Sequence, residues 1–340
     1  MQKAILYEQL NNDLVKCTAC AHYCYIKPEN TGVCGVRKNI AGELFLLVYD
    51  RPIAVNIDPI EKKPLFHFLP GTQIFSLGTV GCNFGCDFCQ NWDISQISKG
   101  QQSINPEQFG QDWPAKKIIN YCVENQIPSI AYTYNEPTIF AEYAYDVMRL
   151  GAKRGIKNVF VSNGYSSAET YKLITPYLDA INIDLKSFNP DYYQKVCKAK
   201  LKPVLENIKK IFDLAVWLEV TTLIIPGQND SELELGQIAE FLAKIDVNIP
   251  WHISRFFPQY KMNDAPPTPI STLEHAYKIG KAAGLHYVYV GNYPSQDLES
   301  TYCPKCGEIV IERSGYSVSL LQIKDGKCAH CGSGIRGVWE

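Results

Sequence analysis

The sequence predicts an α/β fold built on parallel strands, and three observations lead to this class. Between residues 74 and 291, short runs rich in β-branched and aromatic residues alternate with longer helical stretches. Polar side chains lie at the ends of five of the predicted strands. The segments on either side lack this alternation and are rich in cysteine. Because repeated strand–helix–strand units favour parallel pairing, the central region is expected to form a parallel sheet.

The predicted elements follow one another in a regular order. Strands are expected at 74–80, 129–134, 158–162, 180–185, 216–224, 250–255 and 286–291. Helices are expected near 105–125, 137–153, 167–177, 191–213, 231–244 and 272–284. An open doubly wound sheet and a closed or partial TIM-like barrel both satisfy this alternation, so periodicity alone does not choose between them.

The positions of the polar residues favour the barrel. In a βα barrel the chemistry gathers at the carboxyl ends of the strands. Residues predicted at these ends are Asn135, Glu136, Ser162, Asn163, Gly164, Asp184, Lys186, His252, Arg255 and Asn292. The 340 residues fit one barrel of roughly 200 to 250 residues with small appendages. We therefore expect a cysteine-rich extension at 1–70, the barrel at 71–298 and a small module at 299–340.

Charge and composition exclude some classes of function. The 33 basic and 35 acidic side chains leave a formal charge of −2, so a nucleic-acid partner is not expected. The first ten residues, MQKAILYEQL, lack the pattern of a signal peptide, and no apolar run approaches the about 18 residues of a membrane helix. We expect a cytoplasmic protein without a membrane partner.

The thirteen cysteines indicate metal or cluster ligation. Disulfides are the alternative, but they belong mainly to small secreted domains with an even number of cysteines. One group, Cys82, Cys86 and Cys89, follows the first predicted barrel strand in a C-x3-C-x2-C pattern. Three thiolates can hold a [4Fe-4S] cluster and leave one iron open for a substrate. A zinc site completed by a distant residue and three unligated core cysteines are the alternatives.

Several motifs resemble one protein family. They are CTACAHYC, GVCGVR, DPIEKKPLFHFLPG, VGCNFGCDFCQNWDISQ and AYTYNEPTIF, and they span nearly the whole chain. Together they resemble the AmmeMemoRadiSam-system radical S-adenosylmethionine (SAM) proteins, in the pyruvate formate-lyase activating enzyme-like branch of the radical SAM superfamily.

The resemblance implies a partial (β/α)6 barrel over a [4Fe-4S] cluster that binds SAM at its open iron. Reductive cleavage of SAM would give a 5′-deoxyadenosyl radical that abstracts hydrogen from a protein or small-molecule substrate. The radical would either install a glycyl radical on a partner or be consumed once per turnover. An electron donor such as flavodoxin or ferredoxin and a Memo-like or AMMECR-like partner protein are also implied. A zinc-binding scaffold without redox chemistry is the alternative from another class.

The same resemblance suggests which residues hold SAM. Glu136, after Asn135 in the segment that replaces a Gly-Gly-Glu-Pro-like motif, is expected to meet the SAM ammonium, because a carboxylate and an ammonium form a charge-assisted pair. Its alternative role is to cap the helix that begins at Pro137. Ser162 and Asn163 resemble the turn near the SAM ribose and carboxylate, although such a turn is common without a ligand.

Two further pairs complete the expected site. Asp184 and Lys186 resemble an Asp-x-Lys segment that touches SAM, and an internal ion pair is their alternative. His252 is a candidate for hydrogen bonding or proton transfer to a substrate, and a histidine satisfied within the core is its alternative.

Two cysteine sets flank the barrel, and each has four members. Cys17, Cys20, Cys24 and Cys34, with His22 among them, suit either structural zinc or an auxiliary Fe-S cluster that relays electrons. The C-terminal set has the spacing of a zinc ribbon or rubredoxin, with glycine after each knuckle, and consists of Cys303, Cys306, Cys328 and Cys331. Zinc is the metal expected there, with iron as the alternative.

Overall fold

The structure is a computed structural model that describes residues 1–99 and 108–340. The chain divides into two compact units. Unit 1 comprises Met1–Asp58, Gln73–Ile181 and Val196–Ala199. Unit 2 comprises Pro59–Thr72, Asn182–Lys195 and Lys200–Glu340. The chain passes from one unit to the other within strand β11 (Ala180–Asp184).

Unit 1 contains short antiparallel sheets and a set of parallel strands. Its strands are β1 (Gln2–Lys3), β2 (Tyr7–Gln9), β3 (Val15–Cys17), β4 (Tyr25–Ile26), β5 (Arg37–Ile40), β6 (Glu43–Leu46), β7 (Ala54–Pro59), β8 (Gln73–Gly78), β9 (Ser129–Tyr132) and β10 (Lys157–Ser162). The strand orders are β1-β6-β5, β2-β3-β4 and β7-β8-β9-β10. Strands β8 and β10 both pair in parallel with β9, with Ile74 and Lys157 opposite Ser129.

The helices of unit 1 connect and cover these strands. They are α1 (Trp92–Ser95), α2 (Ala115–Glu124), the 3-10 helix Pro137–Phe140, α3 (Ala141–Ala152), α4 (Ala168–Ile174) and the 3-10 helix Thr175–Tyr177. Helix α4 begins after Ser167, whose hydroxyl accepts a hydrogen bond of 3.0 Å from the backbone N–H of Thr170 and so caps the first turn.

Unit 2 contains the second set of parallel strands and the C-terminal hairpins. Its strands are β12 (Trp217–Ile224), β13 (Trp251–Arg255), β14 (Val288–Gly291), β15 (Thr301–Tyr302), β16 (Ile309–Ser314), β17 (Ser317–Leu321), β18 (Ile323–Lys324) and β19 (Lys327–Cys328). Strand β13 pairs in parallel with both β12 and β14. The C-terminal strands form an antiparallel sheet in the order β15-β16-β17 and the hairpin β18-β19.

The helices of unit 2 alternate with its parallel strands. They are the 3-10 helix Ile60–Lys62, α5 (Pro190–Tyr192), α6 (Leu201–Asp213), α7 (Glu232–Ile245), α8 (Ile270–Ala282) and α9 (Gln296–Glu299). A π-helix, Tyr193–Cys197, continues directly from α5. Among the described residues, no helix combines the length and the apolar character needed to cross a membrane.

Each unit has a hydrophobic cluster that includes cysteines. In unit 1 the buried members are Ala4, Leu6, Val15, Cys17, Ala19, Ile26, Leu44 and Ala141. In unit 2 they are Phe66, Tyr287, Tyr289, Cys303, Val310, Ile311, Cys328 and Ile335. Cysteines of both flanking sets therefore lie in packed cores, where a metal site can stabilise the surrounding fold.

The structure confirms the α/β class and the parallel strands. All seven predicted strands are present, with bounds that differ from the predicted ones by at most two residues. The partial barrel and the three-segment division stay predictions.

Two helices differ from the prediction. The helix predicted at 105–125 begins at Ala115, since Gly110 has φ +86° and Pro114 precedes the first turn; positions 105–107 lie outside the described residues. The helix predicted at 191–213 is interrupted after Cys197, because Lys198 adopts a left-handed conformation with φ 59°.

Candidate active site

The C-x3-C-x2-C loop lies between β8 and α1, in unit 1. Cys82 and Cys86 are buried, and Cys89 is half-buried. Gly81, directly before the first cysteine, has φ +91°, and a Cβ there would lie 2.6 Å from the carbonyl oxygen of Cys34. Only glycine can therefore occupy this position without moving the N-terminal segment away from the loop.

Burial raises the pKa of the Cys82 thiol well above its ordinary value. The ammonium of Lys99 acts in the opposite direction and lowers this pKa, while the carboxylate of Glu136 raises it. A buried thiolate therefore needs a strong positive partner, and metal coordination deprotonates a thiol outright. The environment of Cys82 suits a metal ligand better than a free nucleophile.

The Glu136 carboxylate organises the residues that follow β9 and β10. It accepts hydrogen bonds from the backbone N–H of Thr138 at 3.0 Å and of Asn163 at 2.7 Å. It also accepts from the hydroxyls of Ser162 at 2.9 Å and of Thr138 at 2.5 Å. These four donors match the capacity of a carboxylate. The capping role predicted as the alternative for Glu136 is thus observed, and its contact with the SAM ammonium stays a prediction.

Asn163 joins this group to the cysteine loop. Its side-chain amide donates a hydrogen bond of 2.8 Å to the Oδ1 of Asn83, the residue after Cys82. The structure therefore brings together Glu136, Ser162, Asn163 and the cysteine loop, and a contact of these residues with SAM stays a prediction. Sequence reasoning missed Asn83, whose position within the cysteine motif is the one signal that could have identified it.

Asn135, which follows strand β9, supports the same loop. Its Nδ2 donates to the carbonyl oxygen of Gly81 at 2.8 Å and lies 3.2 Å from the hydroxyl of Thr79. Within the described part of the chain, the buried Oδ1 of Asn135 and Nδ2 of Asn83 have no hydrogen-bond partner. A buried acceptor and a buried donor that lack partners beside the cysteine loop indicate a ligand that carries both a hydrogen-bond donor and a hydrogen-bond acceptor. The ammonium and the carboxylate of SAM fit this requirement.

Tyr134 keeps the backbone geometry of a glycine. It stands at one of the two positions where the Gly-Gly-Glu-Pro-like motif has glycine, and its φ of 70° lies in the left-handed region. This conformation costs a non-glycine residue roughly 1–2 kcal/mol. The Tyr134 hydroxyl donates to the carboxylate of Asp58 at 2.6 Å and accepts from Asn56 at 3.0 Å. These contacts hold the residue in its strained conformation.

Asp184 and Lys186 form an ion pair in unit 2. The Nζ of Lys186 lies 2.8 Å from the Oδ2 of Asp184, the last residue of β11. The backbone N–H of Lys186 donates to the hydroxyl of Tyr193 at 3.0 Å. The internal ion pair predicted as the alternative is therefore present, and a contact of either residue with SAM stays a prediction.

His252 lies in a buried polar network of unit 2. The prediction that it ends its strand is wrong, because it is the second residue of β13, whereas Arg255 is the last. Its Nε2 is 2.6 Å from the carboxylate of Glu219, which also accepts from the backbone N–H groups of Phe66 and His67 at 3.0 and 2.8 Å. A catalytic role for His252 stays a prediction.

The rest of this network centres on His67. Its Nδ1 lies 2.7 Å from the carbonyl oxygen of Arg336, and its Nε2 lies 2.6 Å from the hydroxyl of Tyr289. Burial lowers the pKa of His67 to about 4, so the ring is neutral near pH 7. Burial is the largest single effect on Glu219 and would raise its pKa, but the hydrogen bonds and charges of its partners, those of His252 foremost, together lower this pKa.

The four C-terminal cysteines form a metal site in unit 2. Their sulfur atoms all lie within 4.8 Å of one another. The Sγ atoms of Cys303 and Cys331 are 3.7 Å apart, and those of Cys306 and Cys328 are 3.8 Å apart. Metal–sulfur bonds of about 2.3 Å in a tetrahedron give sulfur–sulfur distances of about 3.8 Å. The predicted four-cysteine site is confirmed, and its geometry fits a single tetrahedral ion.

The two knuckles of this site have matching turns. Gly307 and Gly332 follow the second cysteine of each knuckle with φ values of +77° and +71°. Their backbone N–H groups donate to the carbonyl oxygens of Cys303 and Cys328, each at 2.9 Å. The glycines predicted to permit these turns therefore do so.

The four N-terminal cysteines lie mostly out of contact with solvent. Cys17, Cys20 and Cys34 are buried, and Cys24 is half-buried. Burial raises the pKa of Cys20, and negative charge on any of the other three thiols raises it further. A metal ion or an Fe-S cluster at these four cysteines stays a prediction.

A buried ion pair lies beside the N-terminal set. The guanidinium of Arg37, which is 1% exposed, donates to the Glu142 carboxylate through both terminal nitrogens. Glu142 also accepts from the backbone N–H groups of Ile5 and Leu6, each at 3.2 Å. Burial raises the pKa of Cys17 and Cys34, and the charge of Arg37 acts against this increase.

Comparison with known proteins identifies the family. The family model of the Radical SAM superfamily matches residues 76–237, which include the C-x3-C-x2-C loop, Glu136 and Lys186. The uncharacterized protein MJ0808 of Methanocaldococcus jannaschii is 42% identical over 98% of this chain and 99% of its own length. An isethionate sulfite-lyase activating enzyme of Oleidesulfovibrio alaskensis is 25% identical over 36% of this chain and 41% of its own length.

A solved structure shows the same fold. The crystal structure of Streptococcus suis SuiB has a TM-score of 0.50 and 11% sequence identity to this chain. The similarity covers 68% of this chain and 52% of SuiB.

Proposed function

Because the chain belongs to the radical SAM superfamily, we propose that it binds SAM at a [4Fe-4S] cluster held by Cys82, Cys86 and Cys89. When bound, this cluster supplies the electron that cleaves SAM to a 5′-deoxyadenosyl radical, which abstracts hydrogen from a substrate. The observation that carries the proposal is the cysteine loop with two unpaired buried amide atoms beside it.

The chain's own residues bind and orient SAM. The Oδ1 of Asn135 accepts from the SAM ammonium, and the Nδ2 of Asn83 donates to its carboxylate, since each atom lacks a partner within the described part of the chain. Glu136 acts through Ser162 and Asn163, which it holds in place by hydrogen bonds. The resemblance implies that Asp184 and Lys186, which form an ion pair, also touch SAM.

The more specific part of the proposal is that the reaction is of the activating-enzyme type. Similarity to an isethionate sulfite-lyase activating enzyme and the activating-enzyme-like motifs support the installation of a glycyl radical on a partner protein. A partial (β/α)6 barrel, a flavodoxin or ferredoxin as electron donor, and membership of an AmmeMemoRadiSam system with a Memo-like or AMMECR-like partner belong to the same proposal. Zinc at the C-terminal site is part of it as well, because the site offers four thiolates in tetrahedral spacing.

The general reaction is tested with anaerobically purified holoprotein, dithionite and SAM. We expect iron, sulfide and the formation of 5′-deoxyadenosine, and we expect Cys82→Ala to abolish this product. Cys122→Ala is the control, because Cys122 is buried in α2 outside all three cysteine sets. A colourless preparation with zinc and no SAM cleavage would support the scaffold alternative instead.

The finer assignment is tested by electron paramagnetic resonance. Reduced enzyme and SAM are incubated with purified candidate partners of the Memo-like and AMMECR-like classes. A persistent glycyl doublet on the partner supports the activating-enzyme assignment. A product mass shift with one 5′-deoxyadenosine per event and no lasting radical contradicts it and favours direct modification of a substrate.

A further inference from the structure

We propose that Lys99 raises the reduction potential of the [4Fe-4S] cluster in the C-x3-C-x2-C loop, through its ammonium charge and its hydrogen bond to that loop. This inference rests on the proposed function, because it assigns a positioning role toward the same cluster. Reduction adds one electron, and so one negative charge, to the cluster and its thiolates, and no bond is made or broken. A fixed positive charge beside the loop stabilises the reduced state and therefore raises the potential.

Lys99 binds the cysteine loop between the first two cysteines. Its Nζ donates a hydrogen bond to the carbonyl oxygen of Phe84, which lies between Cys82 and Cys86 in the chain. The Lys99 side chain is half-buried, so salt and water screen its charge less than they would at an exposed position. Burial raises the pKa of the Cys82 thiol, and the ammonium of Lys99 acts against this increase. The charge of Lys99 therefore reaches a cluster ligand.

Phe84 connects the bound carbonyl oxygen to a ligand sulfur. The backbone N–H of Phe84 donates to the Sγ of Cys82 at 3.4 Å. Hydrogen bonds to the sulfur atoms are one of the factors that set the potential of an Fe-S cluster, because they stabilise added negative charge. Lys99 holds the residue that makes this bond. Its charge and the hydrogen bond that it supports thus act in the same direction.

A second lysine beside the loop shows why Lys99 is singled out. The Nζ of Lys198 lies 3.7 Å from the Oδ2 of Asp87, which is itself part of the cysteine loop. A carboxylate of the loop therefore offsets the positive charge of Lys198. Lys99 instead binds a neutral carbonyl oxygen, which leaves its full charge to act on the thiolates.

The segment that carries Lys99 is fixed against the loop. The backbone N–H of Gly81 donates to the carbonyl oxygen of Ile94, and that of Lys99 donates to the carbonyl oxygen of Gln96, each at 2.9 Å. The side-chain amide of Gln96 also donates to the carbonyl oxygen of Phe84, at 3.3 Å. The same oxygen thus has one charged and one neutral donor, so the charge and the hydrogen bonding can be tested separately.

A redox titration followed by electron paramagnetic resonance tests the proposal on anaerobically purified holoprotein. The signal of the cluster is identified as the one that is lost in Cys82→Ala. Lys99→Met is expected to make reduction about tenfold less favourable, which lowers the midpoint potential by about 59 mV for one electron. Lys99→Gln should have the same effect, whereas Lys99→Arg should keep the wild-type potential because it keeps the charge. A midpoint potential does not depend on how many chains hold the cluster, so partial loss of iron cannot imitate this effect.

Gln96→Met and Lys116→Met are the matched controls. The first removes the neutral donor to the same carbonyl oxygen, and the second removes a charge at an exposed position of α2. Both are expected to keep the potential of the wild type. An unchanged potential in Lys99→Met and Lys99→Gln, or an equal decrease in Gln96→Met, overturns the proposal. Failure of the proposed function gives a different result, in which the wild type shows no paramagnetic signal that depends on Cys82.

Discussion

The unpaired amide atoms of Asn83 and Asn135 show how single residues define this site. Both residues are uncharged. Asn135 could be predicted from its place before Glu136 in the segment that replaces the Gly-Gly-Glu-Pro-like motif, whereas Asn83 has no signal beyond its place between the cysteines. The cysteine spacing could be recognised directly because the metal dictates it. The role of Asn83 could not, because it depends on a hydrogen bond from Asn163, eighty positions later in the chain.

Replacement of Asn83 by Asp is expected to weaken SAM binding. The change keeps the Oδ1 that accepts from Asn163 and turns the unpaired donor into a negatively charged oxygen opposite the SAM carboxylate. Loss of a hydrogen bond to a charged group costs about 1.5–3 kcal/mol, which corresponds to an increase in Kd of about tenfold or more. The measurement is SAM binding to the reduced cluster by electron paramagnetic resonance.

The control for this variant is Asn11→Asp, which adds the same charge at an exposed position. Iron content is measured in both variants, because the prediction requires that Asn83→Asp keeps the cluster. An Asn83→Asp protein with full iron content and the SAM affinity of the wild type would contradict the assigned role.

Burial of His67 makes stability depend on pH. Because desolvation lowers its pKa to about 4, the folded protein keeps the ring neutral while the unfolded chain binds a proton below about pH 6.5. Stability from this residue is therefore fully present above pH 6.5 and is lost as the pH falls toward 4. Between pH 7 and pH 5 the expected loss is about 2 kcal/mol.

His67→Gln is expected to remove most of this dependence. Glutamine can still donate to the carbonyl oxygen of Arg336 and accept from Tyr289, but it does not titrate. Urea unfolding at pH 7 and pH 5 measures the difference, and the exposed His275→Gln is the matched control. Equal pH dependence in His67→Gln and the wild type would show that another group is responsible.

At the scale of elements, local patterns predicted the parallel strands but not the interruption of the helix at 191–213. The π-helix Tyr193–Cys197 ends where the backbone carbonyl oxygens of Val196 and Cys197 accept from Asp87 and Gly85 of the cysteine loop. The two carbonyl oxygens make these bonds, at 3.2 and 3.0 Å, in place of hydrogen bonds within a continued helix, and the bonds support the cysteine loop. A contact between distant segments decided the structure here, and helix propensity could not reveal it.

Lys198 ends this supporting segment, and its backbone conformation is therefore expected to matter for the cluster. Its φ of 59° is unfavourable for any residue with a branched Cβ. We expect Lys198→Val to destabilise the segment by about 1–2 kcal/mol and to lower iron occupancy at Cys82, Cys86 and Cys89. Iron content and the decay of cluster absorbance in air are the measurements.

Lys198→Gly provides the matched comparison. Both variants lose the ion pair with Asp87, whose atoms are 3.7 Å apart, but glycine adopts a positive φ at no steric cost. Iron occupancy should therefore stay near that of the wild type in the glycine variant alone. If both variants lose iron equally, the ammonium of Lys198 matters and its backbone conformation does not.

At the scale of the whole molecule, the three cysteine sets separate by geometry as well as by position. The set in the middle has three thiolates and unpaired polar atoms beside it, which marks it as the reactive one. The N-terminal set contacts it directly within unit 1. The C-terminal set belongs to unit 2, where Cys303 and Cys328 are part of the buried cluster around Phe66 and Tyr289. We infer the role of the C-terminal set from its place in this core.

The C-terminal metal is therefore expected to stabilise unit 2 and to have no part in electron transfer. Cys331 is exposed, so Cys331→Ser removes one ligand without opening a cavity in the core. The zinc content is expected to fall by about one ion per chain and Tm to decrease, because binding free energy at a structural metal site is folding free energy. Iron content should not change. Metal analysis and calorimetry of the anaerobic protein measure these effects.

His330→Ala is the matched control for this experiment. His330 is exposed and lies in the same knuckle, between Cys328 and Cys331, but it is not one of the four converging ligands. This variant should keep both its zinc and its Tm. Iron at the site in the wild type would contradict the assignment of zinc, and a Cys331→Ser protein that loses the metal but keeps its Tm would contradict the structural role. The metal analysis and the Tm measurement test separate parts of the prediction. The ligands and the availability of metal decide which ion is bound. The core that the ligands share decides how much the bound ion stabilises the fold.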